Sequence, residues 1–80
     1  MRILVVDDEP IIRMDLKEIL LENNCIVVAE ASDGETAINL ARSTMPDAVL
    51  MDIKMPGNID GMEAARIIIE EEICPVVLLT

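Results

Sequence analysis

The segment RILVVDDEP, residues 2–10, joins an apolar strand to an acidic turn and then to the start of a helix. Its first part, RILVV, is short, apolar and rich in β-branched residues, which is typical of a strand buried on both faces. The acidic residues that follow end the strand, and Pro10 suits the first turn of a helix. The segment therefore predicts a central strand with carboxylates at its carboxyl end.

An amphipathic helix is predicted from residue 10 to residue 23. Apolar residues recur there at the i, i+4, i+7 and i+8 spacing of one helix face. The expected buried positions are Ile12, Leu16, Ile19 and Leu20, and the expected polar face consists of Arg13, Lys17, Glu18 and Glu22.

Three further apolar runs alternate with helical segments. The predicted strands are CIVVAEA (residues 25–31), AVLM (48–51) and VVLL (76–79). Alternating strands and helices indicate parallel strands joined by right-handed crossovers. The chain is therefore predicted to form one α/β domain over residues 1–80, with a doubly wound parallel sheet. The last strand is as apolar as a central one, so further structure is expected beyond it.

Two more helices are predicted between these strands. A capping box at SDGE (residues 32–35) starts the second helix, which is expected to run to about residue 43. Asp60 is expected to cap the third helix, with Glu63 three residues later. The expected buried stripe of the third helix is Met62, Ala65 and Ile69, and Cys74-Pro75 ends the helix.

The composition restricts the possible partners. The chain has 80 residues and a formal net charge of −10, from 16 acidic and 6 basic residues. Direct binding to nucleic acid or to anionic lipid is therefore not expected, and cations and basic surfaces are favoured as partners.

No apolar run reaches the roughly 18 residues that span a bilayer, and no signal-peptide core is recognised, so a cytoplasmic location is expected. Cys25 and Cys74 lie in separate apolar runs and are expected to be buried free thiols.

Acidic and hydroxyl side chains occur where the predicted strands end. Asp7 and Asp8 follow the first strand, Asp52 follows the third and Thr80 follows the fourth. Ligands of an open parallel sheet bind beyond the carboxyl ends of its strands, so the carboxylates converge if the first and third strands are neighbours. Three carboxylates this close repel each other, which would raise the pKa of at least one of them unless a cation compensates, and hard oxygen ligands favour Mg²⁺. Asp52 could then act as a nucleophile towards a phosphoryl group and form an acyl phosphate.

Each of these residues also has a simpler explanation. A single Asp at a strand end is more often a turn former or a helix cap. Lys54 is expected to be a solvated loop side chain, although its backbone carbonyl could reach a metal ion. Three acids and a hydroxyl, each following an apolar run, favour a binding site over these separate explanations.

At these residues the chain resembles the receiver domain of response regulators in two-component signalling. ILVVDDE (residues 3–9) resembles the first strand with its acidic pair, and LMDIKMPG (50–57) resembles the phosphoacceptor strand and loop. DGMEAAR (60–66) resembles the start of the third helix, and PVVLLT (75–80) the fourth strand with its switch hydroxyl. The resemblance covers the whole chain. It implies the N-terminal two thirds of a flavodoxin-like (CheY-like) fold, with strand order 2-1-3-4 and the fifth strand and last helices missing.

The resemblance also implies a role for each matched residue. Asp52 would accept a phosphoryl group from the phosphohistidine of a sensor histidine kinase, and Thr80 would bind that group as the switch hydroxyl. Asp8, Asp52 and the backbone carbonyl of Lys54 would bind Mg²⁺ directly, and Asp7 would bind it through water. The module would store a phosphoryl group in a phosphorelay rather than turn over a substrate, so it would not be an enzyme.

Two features depart from the family pattern. The loop MPGNIDG (residues 55–61) is one residue longer than the common MPxxDG form, which leaves Asp52 and Gly61 in place. The fifth strand, whose Lys contacts the phosphoryl group in the family, is absent from these 80 residues, as is any effector domain. The VVLL strand would then have an unpaired edge, which predicts self-association through that edge.

Two other functions fit parts of the pattern. A magnesium phosphatase with an aspartyl nucleophile would use the same carboxylates, but such enzymes carry a second Asp two residues after the first, where this chain has Lys54. A fragment that acts only in dimerisation would show no Mg²⁺-dependent change. A small phosphodonor separates these functions, because a receiver forms a stable acyl phosphate whereas a phosphatase releases phosphate steadily.

Overall fold

The computed structural model describes residues 1–79, which form a four-stranded sheet and three helices. In chain order the elements are β1 (Arg2–Val6), α1 (Pro10–Glu22), β2 (Ile26–Ala31), α2 (Gly34–Thr44), β3 (Ala48–Asp52), α3 (Gly61–Glu70) and β4 (Val76–Leu79). The predicted alternation of strands and helices is confirmed, and every predicted strand agrees with the observed one to within a residue. Thr80, the expected switch hydroxyl, lies outside the described residues.

The four strands are parallel and lie in the order β2-β1-β3-β4. This confirms the flavodoxin-like order that the family resemblance implied. Because β1 and β3 are hydrogen-bonded neighbours, Val6 lies opposite Met51 at their carboxyl ends. The residues that follow these two strands therefore emerge side by side at one edge of the sheet.

Helices cover the two faces of the sheet unequally. On one face α2 and α3 pack against alternate strand residues such as Leu4, Val6 and Met51, all completely buried. On the other face, Leu16 and Leu20 of α1 pack against a smaller cluster of strand residues. Aliphatic side chains fill both clusters, since the chain has no aromatic residue. Within residues 1–79, no helix has the length and apolar character required to cross a membrane.

Helix α1 is less buried than its sequence pattern predicted. Leu16 and Leu20 are half-buried against the sheet, but Ile12 and Ile19 are 39% and 54% exposed. The predicted stripe is therefore wrong at these two positions. The physical reason is that α1 has no neighbouring helix on its face of the sheet within the described part of the chain, so only residues that point at the strands are shielded.

The start of α3 was predicted correctly and the start of α2 was displaced by one residue. The Asp60 carboxylate accepts a hydrogen bond from the backbone N–H of Glu63 at 2.9 Å, as the sequence predicted. The capping residue of α2 is Asp33, whose carboxylate accepts from the backbone N–H of Thr36 at 2.8 Å. A capping box that begins at Ser32 is therefore wrong.

The buried face of α3 differs from the predicted one. Ala65 is buried as expected, but Met62 and Ile69 are 52% and 55% exposed, and Ala64 and Ile68 are buried in their place. The buried residues of α3 are Gly61, Ala64, Ala65 and Ile68. The helix begins with Gly61 in close contact with the Asp52 backbone, and this contact is consistent with the observed orientation of the helix.

Both cysteines are free thiols, as the sequence predicted, although Cys25 and Cys74 are only half-buried.

Candidate metal centre

Three carboxylates meet at the carboxyl ends of β1 and β3. Asp7 and Asp8 follow β1, and Asp52 is the last residue of β3. One oxygen from each side chain lies within 4.8 Å of the other two. The convergence predicted from the strand ends is confirmed, and it results from the direct pairing of β1 with β3.

The three carboxylates differ in their exposure to solvent. Asp7 is buried, with 6% of its surface exposed, whereas Asp52 is half-buried and Asp8 is exposed. The cluster is therefore closed on the Asp7 side and open on the Asp8 side. A ligand can reach Asp52 from solvent without displacing any part of the sheet.

The environment of Asp7 disfavours its negative charge. Burial is the main cause that raises the pKa of Asp7, and the carboxylates of Asp52 and Asp8 raise it further. The backbone N–H of Glu9 opposes this effect by donating a hydrogen bond to Asp7 Oδ1 at 2.9 Å. A cation at the cluster would relieve both the desolvation and the repulsion.

The chemistry of the donor set fits a hard divalent cation. All three side chains offer carboxylate oxygens, and such oxygens are the preferred ligands of Mg²⁺ and Ca²⁺. The chain contains no His that would favour zinc or copper. The residues present therefore fit the Mg²⁺ site expected from the sequence.

Backbone hydrogen bonds fix the position of Asp52. Ile53 donates to the carbonyl of Leu79 at 3.3 Å, and Gly61 donates to the carbonyl of Ile53 at 3.0 Å. The backbone N–H of Lys54 donates to Asp52 Oδ1 at 3.2 Å, and the Lys54 side chain is exposed. The loop therefore restrains both the backbone and the carboxylate of Asp52, and Lys54 is the solvated loop residue that the sequence predicted.

One residue that contacts the site was not identified from the sequence. Arg13 was placed on the polar face of α1, yet its Nη1 donates to the backbone carbonyl of Asp7 at 2.7 Å. Its Nε donates to Glu30 Oε1 at 3.2 Å. A sequence pattern could have suggested the Glu30 contact. Arg13 and Lys17 lie four residues apart on one helix face, and Glu30 is the single acid in the apolar strand β2.

A family model described as the response regulator receiver domain matches residues 3–80. The chain belongs to the response regulator receiver domain family. The predicted resemblance is thus confirmed, and the carboxylate cluster lies at the carboxyl end of the sheet in a receiver domain.

Curated relatives and solved structures agree with this assignment. This receiver domain is 48% identical over 79 residues to the transcriptional regulatory protein PdtaR of Mycobacterium tuberculosis, covering 99% of this chain and 38% of that protein. It is 44% identical over 80 residues to a protein-glutamate methylesterase/protein-glutamine glutaminase of Hahella chejuensis, covering 100% of this chain and 23% of that protein. The response regulator domain of Thermotoga maritima CheB superposes with a TM-score of 0.90 at 39% identity, covering 98% of this chain and 58% of that one.

The receiver domain spans only part of each of these proteins. It covers less than two fifths of the two curated relatives, 38% and 23% of their lengths. The activities named for the relatives are therefore properties of longer proteins.

Proposed function

We propose that this receiver domain accepts a phosphoryl group on Asp52 from the phosphohistidine of a sensor histidine kinase, with Mg²⁺ held by the adjacent carboxylates. The observation that carries the proposal is the approach of Asp7, Asp8 and Asp52 to within 4.8 Å of one another. Membership of the receiver family supports it. The domain would act as a signalling module and not as an enzyme.

Each residue of the cluster would have its own role in metal binding, and Asp52 would also be the nucleophile. Asp8, Asp52 and the backbone carbonyl of Lys54 would hold the ion directly, and the more buried Asp7 would do so through water. Bound Mg²⁺ would offset the negative charge on the oxygens of the transferring phosphoryl group. Thr80 would hydrogen-bond the transferred group as the switch hydroxyl.

Asp52 is the nucleophile that this geometry favours. It is the carboxylate on β3, it is half-buried, and the Lys54 N–H restrains its Oδ1 atom. An Asp52 oxygen would form a bond to phosphorus while the P–N bond of the phosphohistidine breaks. The electron pair of that bond would leave with the imidazole of the kinase, and the product would be an aspartyl phosphate.

Phosphorylation by a small donor tests this proposal. We expect incubation with acetyl phosphate and Mg²⁺ to add one phosphoryl group to the intact chain, and to add none when EDTA is present. Asp52→Asn should abolish the adduct, whereas Asp15→Asn, at an exposed position on α1, should leave it unchanged. Steady phosphate release without an adduct would indicate the phosphatase instead. A chain that shows no Mg²⁺-dependent change would contradict both functions.

Self-association through β4 is a separate part of the proposal. Val49 and Ile53 donate hydrogen bonds to the carbonyls of Pro75 and Leu79, so the alternate residues of β4 direct their backbone groups away from β3. Within residues 1–79, β4 pairs only with β3. In the 80-residue chain, the outer edge of β4 would then pair with a strand from a second copy.

The proposed site of action is the cytoplasm. A kinase that draws its phosphoryl group from ATP acts there, and the two free thiols, Cys25 and Cys74, suit a reducing compartment.

A further inference from the structure

Arg13 connects the end of β1 to the neighbouring strand β2. Its Nη1 donates to the backbone carbonyl of Asp7 at 2.7 Å, and its Nε donates to Glu30 Oε1 at 3.2 Å. The Arg13 side chain is 19% exposed, although it belongs to a surface helix. One guanidinium group thus contacts the residue that begins the acidic loop and an acid on the adjacent strand.

The hydrogen bond to the Asp7 carbonyl restrains the backbone of the acidic loop. The backbone N–H of Asp7 donates to the carbonyl of Ala31 at 3.1 Å, so the peptide groups on both sides of Asp7 are hydrogen-bonded. Because a peptide unit is planar, fixing the Asp7 carbonyl also fixes the direction of the Asp8 N–H and Cα. The contact with Arg13 therefore restrains the backbone from which the Asp8 side chain extends.

Lys17 is a matched control for Arg13, because both side chains pair with Glu30. It lies one helical turn later, and its Nζ contacts Glu30 Oε2 at 3.0 Å. Lys17 is more exposed than Arg13, with 48% of its side chain accessible compared with 19%. Both cations pair with Glu30, but the contact with the Asp7 carbonyl comes from Arg13.

We propose that Arg13 is a positioning residue, which holds the Asp7–Asp8 peptide through the Asp7 carbonyl and thereby sets the carboxylate geometry for divalent-cation binding. Glu30 Oε1 accepts from Arg13 Nε and keeps the guanidinium in place, whereas Lys17 contacts the other carboxylate oxygen of Glu30. The planar fork of Arg is what allows one side chain to reach the carbonyl and the carboxylate together. This inference rests on the proposed function, since it concerns the affinity of the same site for Mg²⁺.

Calorimetric titration of the 80-residue chain with Mg²⁺ tests the inference, using Arg13→Met and the matched variant Lys17→Met. Each variant removes one cation that pairs with Glu30, but only Arg13→Met removes the donor to the Asp7 carbonyl. We expect Arg13→Met to weaken Mg²⁺ binding about tenfold, as is usual for residues that orient metal ligands. Lys17→Met should bind Mg²⁺ as the wild type does. Urea unfolding of each variant measures stability separately.

Arg13→Lys keeps the folded chain testable if Arg13→Met does not fold. It retains the positive charge beside Glu30 but lacks the planar fork, so we expect its Mg²⁺ affinity to fall while its unfolding free energy stays closer to that of the wild type.

The titration distinguishes a failure of the positioning role of Arg13 from a failure of the proposed metal site. Wild-type Mg²⁺ affinity in Arg13→Met or in Arg13→Lys would overturn the positioning role and leave the metal site standing. Equal weakening in Arg13→Met and Lys17→Met would also overturn it, because loss of positive charge near Glu30 would then be sufficient. A wild-type chain that binds no Mg²⁺ would overturn both the proposed function and this inference.

Discussion

Gly61 lies so close to Asp52 that a Cβ atom at position 61 would stand 1.9 Å from the Asp52 backbone oxygen. The Gly61 N–H also donates to the Ile53 carbonyl at 3.0 Å. The first residue of α3 is therefore packed directly against the backbone that carries the proposed phosphoacceptor. The Asp52 backbone can occupy this position because residue 61 has no side chain.

Replacing Gly61 should disturb both the fold and the site. In Gly61→Ala the new methyl group meets backbone atoms that cannot rotate away, so we expect a loss of about 1–3 kcal/mol in the free energy of unfolding. Displacement of the Asp52 backbone should also weaken Mg²⁺ binding. Urea unfolding and Mg²⁺ titration measure the two effects.

Gly34→Ala is the control for this substitution. A Cβ atom at Gly34 would lie 2.5 Å from the Ile59 backbone oxygen, at a contact between α2 and the β3–α3 loop. We expect lower stability with unchanged Mg²⁺ affinity of the folded protein. Similar Mg²⁺ affinities in the Gly61 and Gly34 variants would argue against a direct link between Gly61 and the site.

Asp7→Asn should stabilise the metal-free protein and remove much of its response to Mg²⁺. Burial and the neighbouring carboxylates raise the pKa of Asp7 in the folded state, so the folded chain binds a proton more readily than the unfolded chain does. The stability of the wild type therefore falls as the pH rises through the folded pKa, and at pH 7 the ionised Asp7 opposes folding. Asparagine has no charge to desolvate.

Thermal unfolding at pH 7 with EDTA and with Mg²⁺ measures this effect. We expect a higher Tm than wild type in EDTA and a smaller increase on adding Mg²⁺, because a ligand that binds the folded state more weakly stabilises it less. A lower Tm than wild type in EDTA would show that the Asp7 charge does not oppose folding.

Asp33 should stabilise α2 through its capping hydrogen bond. Asp33→Ala is expected to reduce the free energy of unfolding by about 1 kcal/mol, the usual cost of losing such a cap. Asp33→Asn should remain close to wild type, since asparagine also caps well. Urea unfolding at neutral pH compares the three proteins.

The contribution of Asp33 should also depend on pH. The Thr36 backbone N–H lowers the pKa of Asp33 below its ordinary value of 3.8. The stabilisation is therefore present above that value and is lost as the pH falls through the lower, folded-state pKa. The difference between wild type and Asp33→Ala should narrow over this acidic range, and a constant difference would indicate that the charge of Asp33 plays no part.

Self-association of the 80-residue chain should depend on β4 and not on β2. Val77 on β4 and Ile26 on β2 are 50% and 62% exposed, and their strands form the two ends of the sheet. A lysine on a pairing edge opposes strand addition, so Val77→Lys should shift sedimentation towards the monomer while Ile26→Lys should not. A wild-type chain that stays monomeric at micromolar concentration would contradict the proposed pairing.

The structure also shows why some sequence patterns were misleading. Helix periodicity identifies which residues share a face, but the direction of that face depends on what packs against the helix. In α3 the contact of Gly61 with Asp52 directs Ala64 and Ile68 inwards and leaves Met62 exposed. In α1 the same periodicity did not reveal that Arg13 contacts the Asp7 carbonyl.

The sequence by itself determined the alternation of strands and helices, the parallel sheet and the acidic residues at the ends of β1 and β3. Short β-branched runs, helix caps and the position of each Asp after its strand are local properties, and they can be read without coordinates. Only the tertiary structure decided that one oxygen of each of three carboxylates lies within 4.8 Å of the others and that Asp7 is the buried member of the group. Distances and burial depend on which strands pair and on which residues come close from distant parts of the chain, such as Gly61 against Asp52.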